Sequence, residues 1–177
     1  MRKPRENKPS RPRKYRKAQP ANPPEALDMG ILDSFLGFHL RLAQEASFRM
    51  FARKVDELQV RPQRYAILTI IGNNPGVTQK QLSIASGRDK STLTAALSDL
   101  HRNEFIDRRS VPTDLRSSTL HLTEKGQMLL EDLTRHARDH EAELDAIMGP
   151  DKVQMIAWLR KLTAALSAAD VKSDDDD

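Results

Sequence analysis

The residues best equipped for chemistry lie between positions 88 and 98: Arg88, Lys90, Ser91, Thr92, Thr94, Ala95 and Ser98. Their chemistry is charge and hydrogen bonding, not bond breaking. A lysine beside the free amides of a helix start meets phosphate, small hydroxyls bond base edges or phosphates, and an alanine methyl touches a thymine methyl. Side chains this small also let a helix backbone sit deep in a major groove. With no Arg, Asn or Gln in the middle of the face, base readout from this run is expected to be modest.

The remaining polar residues offer less. His136 and His140 stand one helical turn apart with Asp139 and Glu143 nearby, a spacing that two metal ligands on a helix can use. Yet His140 falls on the same stripe as Leu133, Ala137 and Leu144, and spacing fixes no further ligand. An interface histidine is the preferred reading, with a metal-responsive protein as the alternative. There is no glycine-rich phosphate loop and no nucleophile paired with a base, so an enzyme is not expected. The absence of cysteine removes disulfides, thiolate metal sites, cysteine nucleophiles and thiol redox sensing together. No cofactor is implied.

Charge is unevenly placed along the 177 residues. Nine Lys/Arg residues fall within residues 1–17 against Glu6 alone; taking these from the totals of 29 basic and 25 acidic residues leaves 20 and 24 in the rest. The net charge of +4 therefore belongs to the arm, and the body is slightly acidic. Residues 1–27, rich in Pro and poor in apolar side chains, read as a disordered basic arm. Such an arm either tracks phosphates or merely solubilises, and a sequence-neutral architectural DNA binder working through it is a second alternative. No run of about eighteen apolar residues and no apolar leader occurs, so no membrane partner is expected and the cytoplasm is the default location.

The elements that must hold the 88–98 run follow from periodicity. Ile31, Phe35, Phe38, Leu42, Ala46 and Met50 recur at three- and four-residue steps, which predicts one long helix reaching about Leu58. Pro62 suits the start of a second helix, stopped by Gly72-Asn73-Asn74-Pro75-Gly76. Thr78-Gln79-Lys80-Gln81 reads as a capping box opening a short helix to Ser86. Gly87 permits a tight turn, Asp89 caps the next helix, and Leu93, Ala96, Leu97 and Leu100 form its inward stripe, which leaves Ser91, Thr94, Ala95, Ser98 and Arg102 on the opposite face. Two alternating runs, Ile106 to Val111 and Ser118 to Leu122, predict a hairpin with a longer tip at 112–117. Thr123-Glu124-Lys125-Gly126 opens a long helix broken at Gly149-Pro150, and a last helix precedes an acidic tail at 170–177. The fold class is mainly α with a small β-hairpin wing: a winged helix-turn-helix at 61–122 between long helices at 28–60 and 123–169.

With Asp89-Lys90-Ser91-Thr92, Asp107-Arg108-Arg109, Asp114-Leu115-Arg116 and Leu122-Thr123-Glu124-Lys125-Gly126, the stretch from about Ile31 to Leu166 resembles the MarR family of bacterial regulators. The resemblance implies a triangular homodimer, with 28–60 and 123–169 as its dimerisation helices, on a palindromic double-stranded operator, with Arg116 entering the minor groove and Asp114 positioning a wing arginine, so Arg109, Asp114 and Arg116 join the candidate DNA contacts. It also implies repression relieved by a small-molecule effector bound between the dimerisation helices and the winged domain. That region offers Phe35, Phe38, His39, Leu42, Phe48, Arg49, Arg64 and Tyr65. An apolar pocket edged by His and Arg suits an aromatic acid or its coenzyme A thioester. Two positions depart from the family pattern. Ala95 stands where a basic residue is common, and Glu104 where glycine usually follows the recognition helix, with Asn103 as the expected left-handed cap.

Overall fold

The computed structural model describes residues 27–58, 60–111 and 114–174, with the side chains of 111–117 and 169–174 outside that description. The basic arm over residues 1–26 and the tail beyond Asp174 lie outside the described residues. The chain divides into two compact units, Met1–Leu40 and Arg41–Asp177.

In the first unit the expected helix start at Ile31 is replaced by a separate 3-10 turn, Gly30–Ser34. The Asp28 carboxylate accepts from the Gly30 amide at 2.8 Å, and Gly30 has φ +56°, so an Asx turn fixes the entry. Phe35 is extended at φ −91°, ψ 115°, and the helix proper, α1, runs Leu36–Lys54. Its far end also falls short of expectation. Val55 turns fully into the core, and Asp56–Leu58 form a second 3-10 turn.

The second unit is built on α2 (Arg64–Asn73), α3 (Gln79–Ser86), α4 (Lys90–Arg102), α5 (Glu124–Met148) and α6 (Asp151–Asp174), with strands β1 (Val77–Thr78), β2 (Ile106–Val111) and β3 (Asp114–Leu122). Pro62 sits in the turn before α2 rather than at its first position, accepting from the Tyr65 amide. The capping box is present in full: Thr78 Oγ1 accepts from the Gln81 amide at 3.3 Å, and Gln81 Oε1 accepts from the Thr78 amide at 2.9 Å. Gly87, at φ +62°, ends α3 in the left-handed region, and the Arg88 amide reaches back to the Ser83 carbonyl, the six-to-one bond of a Schellman turn.

Two sheet features differ from the sequence expectation. The hairpin strand starts at Asp114, paired with Val111 across a register shift, so residues 114–117 extend β3 instead of forming a long tip. A third strand, β1, pairs antiparallel with β3 through Val77–Leu120 and Thr78–Thr119, giving the order β1-β3-β2. Beyond them, α6 continues through Asp174, so the backbone at 170–174 is helical where a tail was expected.

The core sits under the helix-turn-helix: Ile67, Leu68 and Ile71 of α2, Leu82 of α3, Leu93, Leu97 and Leu100 of α4, Ile106 and Leu120 of the sheet and Leu133 of α5 are essentially inaccessible. The helix-period stripes on the long helices behave differently. Leu36 is 62% exposed in the first unit, while Ile147 (74%), Val153 (78%) and Trp158 (60%) are exposed in the second. No helix among the described residues is long and apolar enough to cross a membrane.

Candidate nucleic-acid interface

The site is the outer face of α4, and its orientation follows from four buried positions. Leu93, Ala96, Leu97 and Leu100 are at most 2% exposed, which turns Ser91, Thr94, Ala95, Ser98 and Arg102 outward; all five are exposed. The helix start is set by Asp89, whose Oδ1 accepts from the Thr92 amide at 2.8 Å and from Ser91 Oγ at 2.5 Å. These bonds, the Ser91 hydroxyl first and then the Thr92 side chain and amide, hold the Asp89 carboxyl well below the usual carboxylate range. Lys90 and Thr92 are exposed beside this capped amide end.

The end of α4 corrects the expectation at Asn103. Asn103 keeps φ −88°, and the left-handed residue is Glu104 at φ +61°. The Phe105 amide donates to the Leu100 carbonyl at 2.9 Å, a second Schellman turn, which demands a positive φ at the residue before Phe105 whatever its type. Position 104 therefore keeps the geometry that glycine would adopt, with a glutamate bearing the strain.

This turn is locked to the long helix that follows the wing. The Thr123 amide donates to the Phe105 carbonyl at 3.1 Å, and Thr123 Oγ1 donates to the Glu104 carbonyl at 2.6 Å while accepting from the Gly126 amide. A Cβ placed on Gly126 would lie 1.9 Å from the Phe105 carbonyl oxygen. Only glycine allows the start of α5 to press on the end of α4 this closely.

A second brace joins α4 to α2. Arg64 donates through Nη2 to Asp99 Oδ2 at 2.9 Å, and Arg102 holds the other carboxylate oxygen at 2.7 Å. Burial pushes the Asp99 carboxyl up, but the two guanidinium groups outweigh it and hold it below its ordinary range. Arg64, a candidate effector contact from sequence, is thus engaged with the recognition helix, and its Nε is buried without a hydrogen-bond partner.

Of the other effector candidates, Phe35, Phe38 and His39 lie in the first unit, where His39 Nε2 meets the Asp33 carbonyl at 2.8 Å. Leu42, Phe48, Arg49 and Tyr65 lie in the second, where Tyr65 packs against Phe51 with ring centroids 5.8 Å apart. His140, the suspected interface histidine, instead stacks on Phe51 within the chain and shares a 3.0 Å hydrogen bond with Ser47 through Nε2. Its Nδ1 is buried without a partner. His136 is half-buried one turn before it on α5, and among the described residues no cluster of three or more potential ligands surrounds either histidine.

Among the remaining DNA candidates, Arg88 is half-buried and gives Nη2 to the Gln63 carbonyl at 3.4 Å. Arg109 is exposed on β2 and lines a cleft of about 800 Å³ between α2, the hairpin and α5, together with His121, Glu131, Arg135 and Arg138. The backbone of Asp114 and Arg116 lies in β3, and their side chains fall outside the described set. One contact was missed from sequence: Gln79, half-buried at the start of α3, donates through Nε2 to Thr94 Oγ1 at 2.7 Å. It had been absorbed into the capping box, and no local signal links it to a residue fifteen positions on.

Known proteins share this fold. The MarR family model matches residues 60–118, which span the helix-turn-helix and the first part of the hairpin. A putative transcriptional regulatory protein for the hcr operon of Thauera aromatica is 34% identical over 153 residues, 85% of this chain and 92% of that protein. Among solved structures, the transcriptional repressor CouR bound to a 23-mer DNA duplex is 29% identical, with a TM-score of 0.69 over 78% of this chain and 98% of the other. CouR has also been solved with p-coumaroyl-CoA, at 27% identity and TM-score 0.71 over 77% and 97% of the two chains. The PcaV transcriptional regulator from Streptomyces coelicolor, in complex with its natural ligand, is 26% identical with a TM-score of 0.69 over 80% and 99% of the chains.

Proposed function

This chain belongs to the MarR family of transcriptional regulators, and from that premise we propose that it is a homodimeric repressor released from a near-palindromic operator by a small aromatic acid or its coenzyme A thioester. The observation that carries DNA recognition is the outward face of α4. Small side chains from Ser91 to Ser98 and a capped, amide-rich start beside Lys90 stand opposite a fully buried leucine stripe. Arg116, Asp114 and Arg109 complete the interface from the hairpin.

Dimerisation is supported by apolar surface that a single chain leaves open. Trp158, Val153, Leu166 and Ile147 on α5 and α6 are each more than half exposed, and a soluble chain covers such a face with a second copy. In the first unit Leu36 and Phe35 are likewise open.

Effector release is supported by a relative that binds p-coumaroyl-CoA and by the basic cleft beside Arg109. Its volume suits a small molecule, and Arg109, Arg138 and the Asp132-paired Arg135 with His121, against Glu131 alone, suit an anion. The effector contacts expected from the sequence, Phe35, Phe38, His39, Leu42, Phe48, Arg49, Arg64 and Tyr65, do not line this cleft and stay separate candidates. Ligand binding acts by favouring a dimer whose recognition helices are wrongly spaced for successive major grooves.

The test is fluorescence anisotropy with a duplex from the gene's own promoter, with and without aromatic acids and their coenzyme A thioesters. Tight binding at moderate salt, weakened by Arg116→Ala and reversed by at least one compound, is the expected result. Promoter binding no tighter than to random duplex, or indifferent to Arg116→Ala, overturns the operator assignment. Full binding in the presence of every such compound overturns the effector assignment alone.

A further inference from the structure

Thr94 occupies the middle of the outward face of α4, yet its hydroxyl is already committed. Oγ1 donates its one proton to the Lys90 carbonyl at 2.7 Å and accepts from Gln79 Nε2 at 2.7 Å, leaving a single lone pair. Ser91 spends its proton on Asp89, and the Thr92 side chain bonds the same carboxylate. The hydroxyl-rich start of the recognition helix is therefore largely occupied in building the helix.

Gln79 is in the opposite position. It stands at the first residue of α3, outside the recognition helix, and its side chain crosses to the DNA side of α4. There it borders an open concavity with Lys80, Ser83, Lys90 and Ser118. The amide orientation is fixed by chemistry. Because the Thr94 proton goes to Lys90, the atom facing Thr94 Oγ1 must be a donor, which is the nitrogen. That leaves one N–H and the whole carbonyl oxygen of the carboxamide, and among the described residues neither has a partner. A side-chain amide presenting one donor and one acceptor in a plane matches N7 and N6 of adenine in the major groove.

We infer that Gln79 is a base-reading residue, held in place by the Thr94 hydroxyl and specifying one A·T pair in each half-site. Thr94 is its positioning residue and offers the groove chiefly its methyl group. The inference rests on α4 entering the major groove, as proposed above.

The experiment uses the full chain. Wild-type protein is selected against a duplex library randomised over about 20 base pairs, enough for two half-sites one turn apart. The consensus and all its single-pair variants are then titrated by anisotropy at one salt concentration. Gln79→Ala is expected to weaken consensus binding by roughly 5- to 150-fold and to flatten discrimination at one A·T pair per half-site, leaving other positions unchanged. Thr94→Val, which keeps shape but not the hydroxyl, should flatten the same pair although Gln79 is intact, and Thr94→Ser should retain the preference. Melting temperatures confirm that each variant is folded. A wild type that enriches no sequence overturns both the operator assignment and this inference. A wild type that enriches a sequence whose base profile Gln79→Ala preserves, even at lower affinity, overturns this inference alone.

Discussion

Gly126→Ala tests the clamp between the recognition helix and α5. The added Cβ would lie 1.9 Å from the Phe105 carbonyl oxygen, and Cβ contacts under 3.0 Å essentially never occur, so at least about 1.1 Å of movement is needed. The obstacle is backbone and cannot rotate away. Phe105 is held on both sides, by its amide on Leu100 and by its carbonyl on Thr123. Overpacking of this kind costs about 3 kcal/mol or more, and replacing a helical glycine by alanine returns at most about 1 kcal/mol. The net loss is about 2 kcal/mol or more, a fall of roughly 4–8 °C in melting temperature for a chain of this size. Gly72→Ala is the control. Its Cβ would meet Leu130 Cδ2 at 2.9 Å and Leu122 Cδ1 at 3.0 Å, the ends of flexible side chains, so its cost should lie within about 1 kcal/mol of zero. The assay is thermal and urea unfolding at one protein concentration, since the proposed dimerisation would make stability concentration-dependent. DNA affinity of the folded fraction is measured beside it. A Gly126→Ala protein as stable as wild type, or a Gly72→Ala protein destabilised as much, would refute the claim that backbone contact sets the geometry of this junction.

Glu104→Gly should stabilise the protein by about 1 kcal/mol, read as a rise of roughly 2–4 °C in melting temperature, because glycine removes the cost of φ +61° and the exposed Lys125 pair at 3.8 Å contributes little. A lower melting temperature would count against the strain. Arg64→Ala should cost about 1–3 kcal/mol by urea titration, less than for a fully buried pair, since Asp99 is 36% exposed and keeps Arg102. The Asp99 pKa, followed by NMR, should rise at the same time. The carboxyl of Asp89 is depressed below its ordinary 3.8, so the stability it contributes is present above that value and declines as pH falls below about 4. Asp89→Asn should therefore lower the melting temperature most at neutral pH and converge with wild type as pH falls, which flattens the acid limb of a pH–melting curve; an unchanged acid limb would contradict the assigned hydrogen bonds.

What the sequence determined by itself was whatever depends on neighbours within one turn. The capping box at Thr78 to Gln81, the Asp89 cap, the left-handed Gly87 and the stripe of Leu93, Ala96, Leu97 and Leu100 are local bonds or three- and four-residue periodicities, and each took its expected form. Those local features suffice to turn Ser91, Thr94, Ala95 and Ser98 outward and so to mark the proposed DNA face.

Tertiary structure decided the rest. β1 is two residues long and has no period to detect; it exists because β3 offers it an edge. The wing was shorter at its tip than Pro112 to Ser117 implied, because pairing with β2 carries Asp114 into the ladder. Asn103 was the better left-handed residue by propensity, but the bond from Phe105 to Leu100 fixes the position at Glu104. The brace from Arg64 to Asp99, thirty-five positions away, is a bond between helices that no local pattern announces. Gln79 and Thr94 became a pair only when the turn at Gly87 folded α3 against α4. Hydrogen bonds within a turn are written in spacing, whereas bonds between elements depend on how packed helices bring distant side chains within about 3 Å, a distance no periodicity encodes.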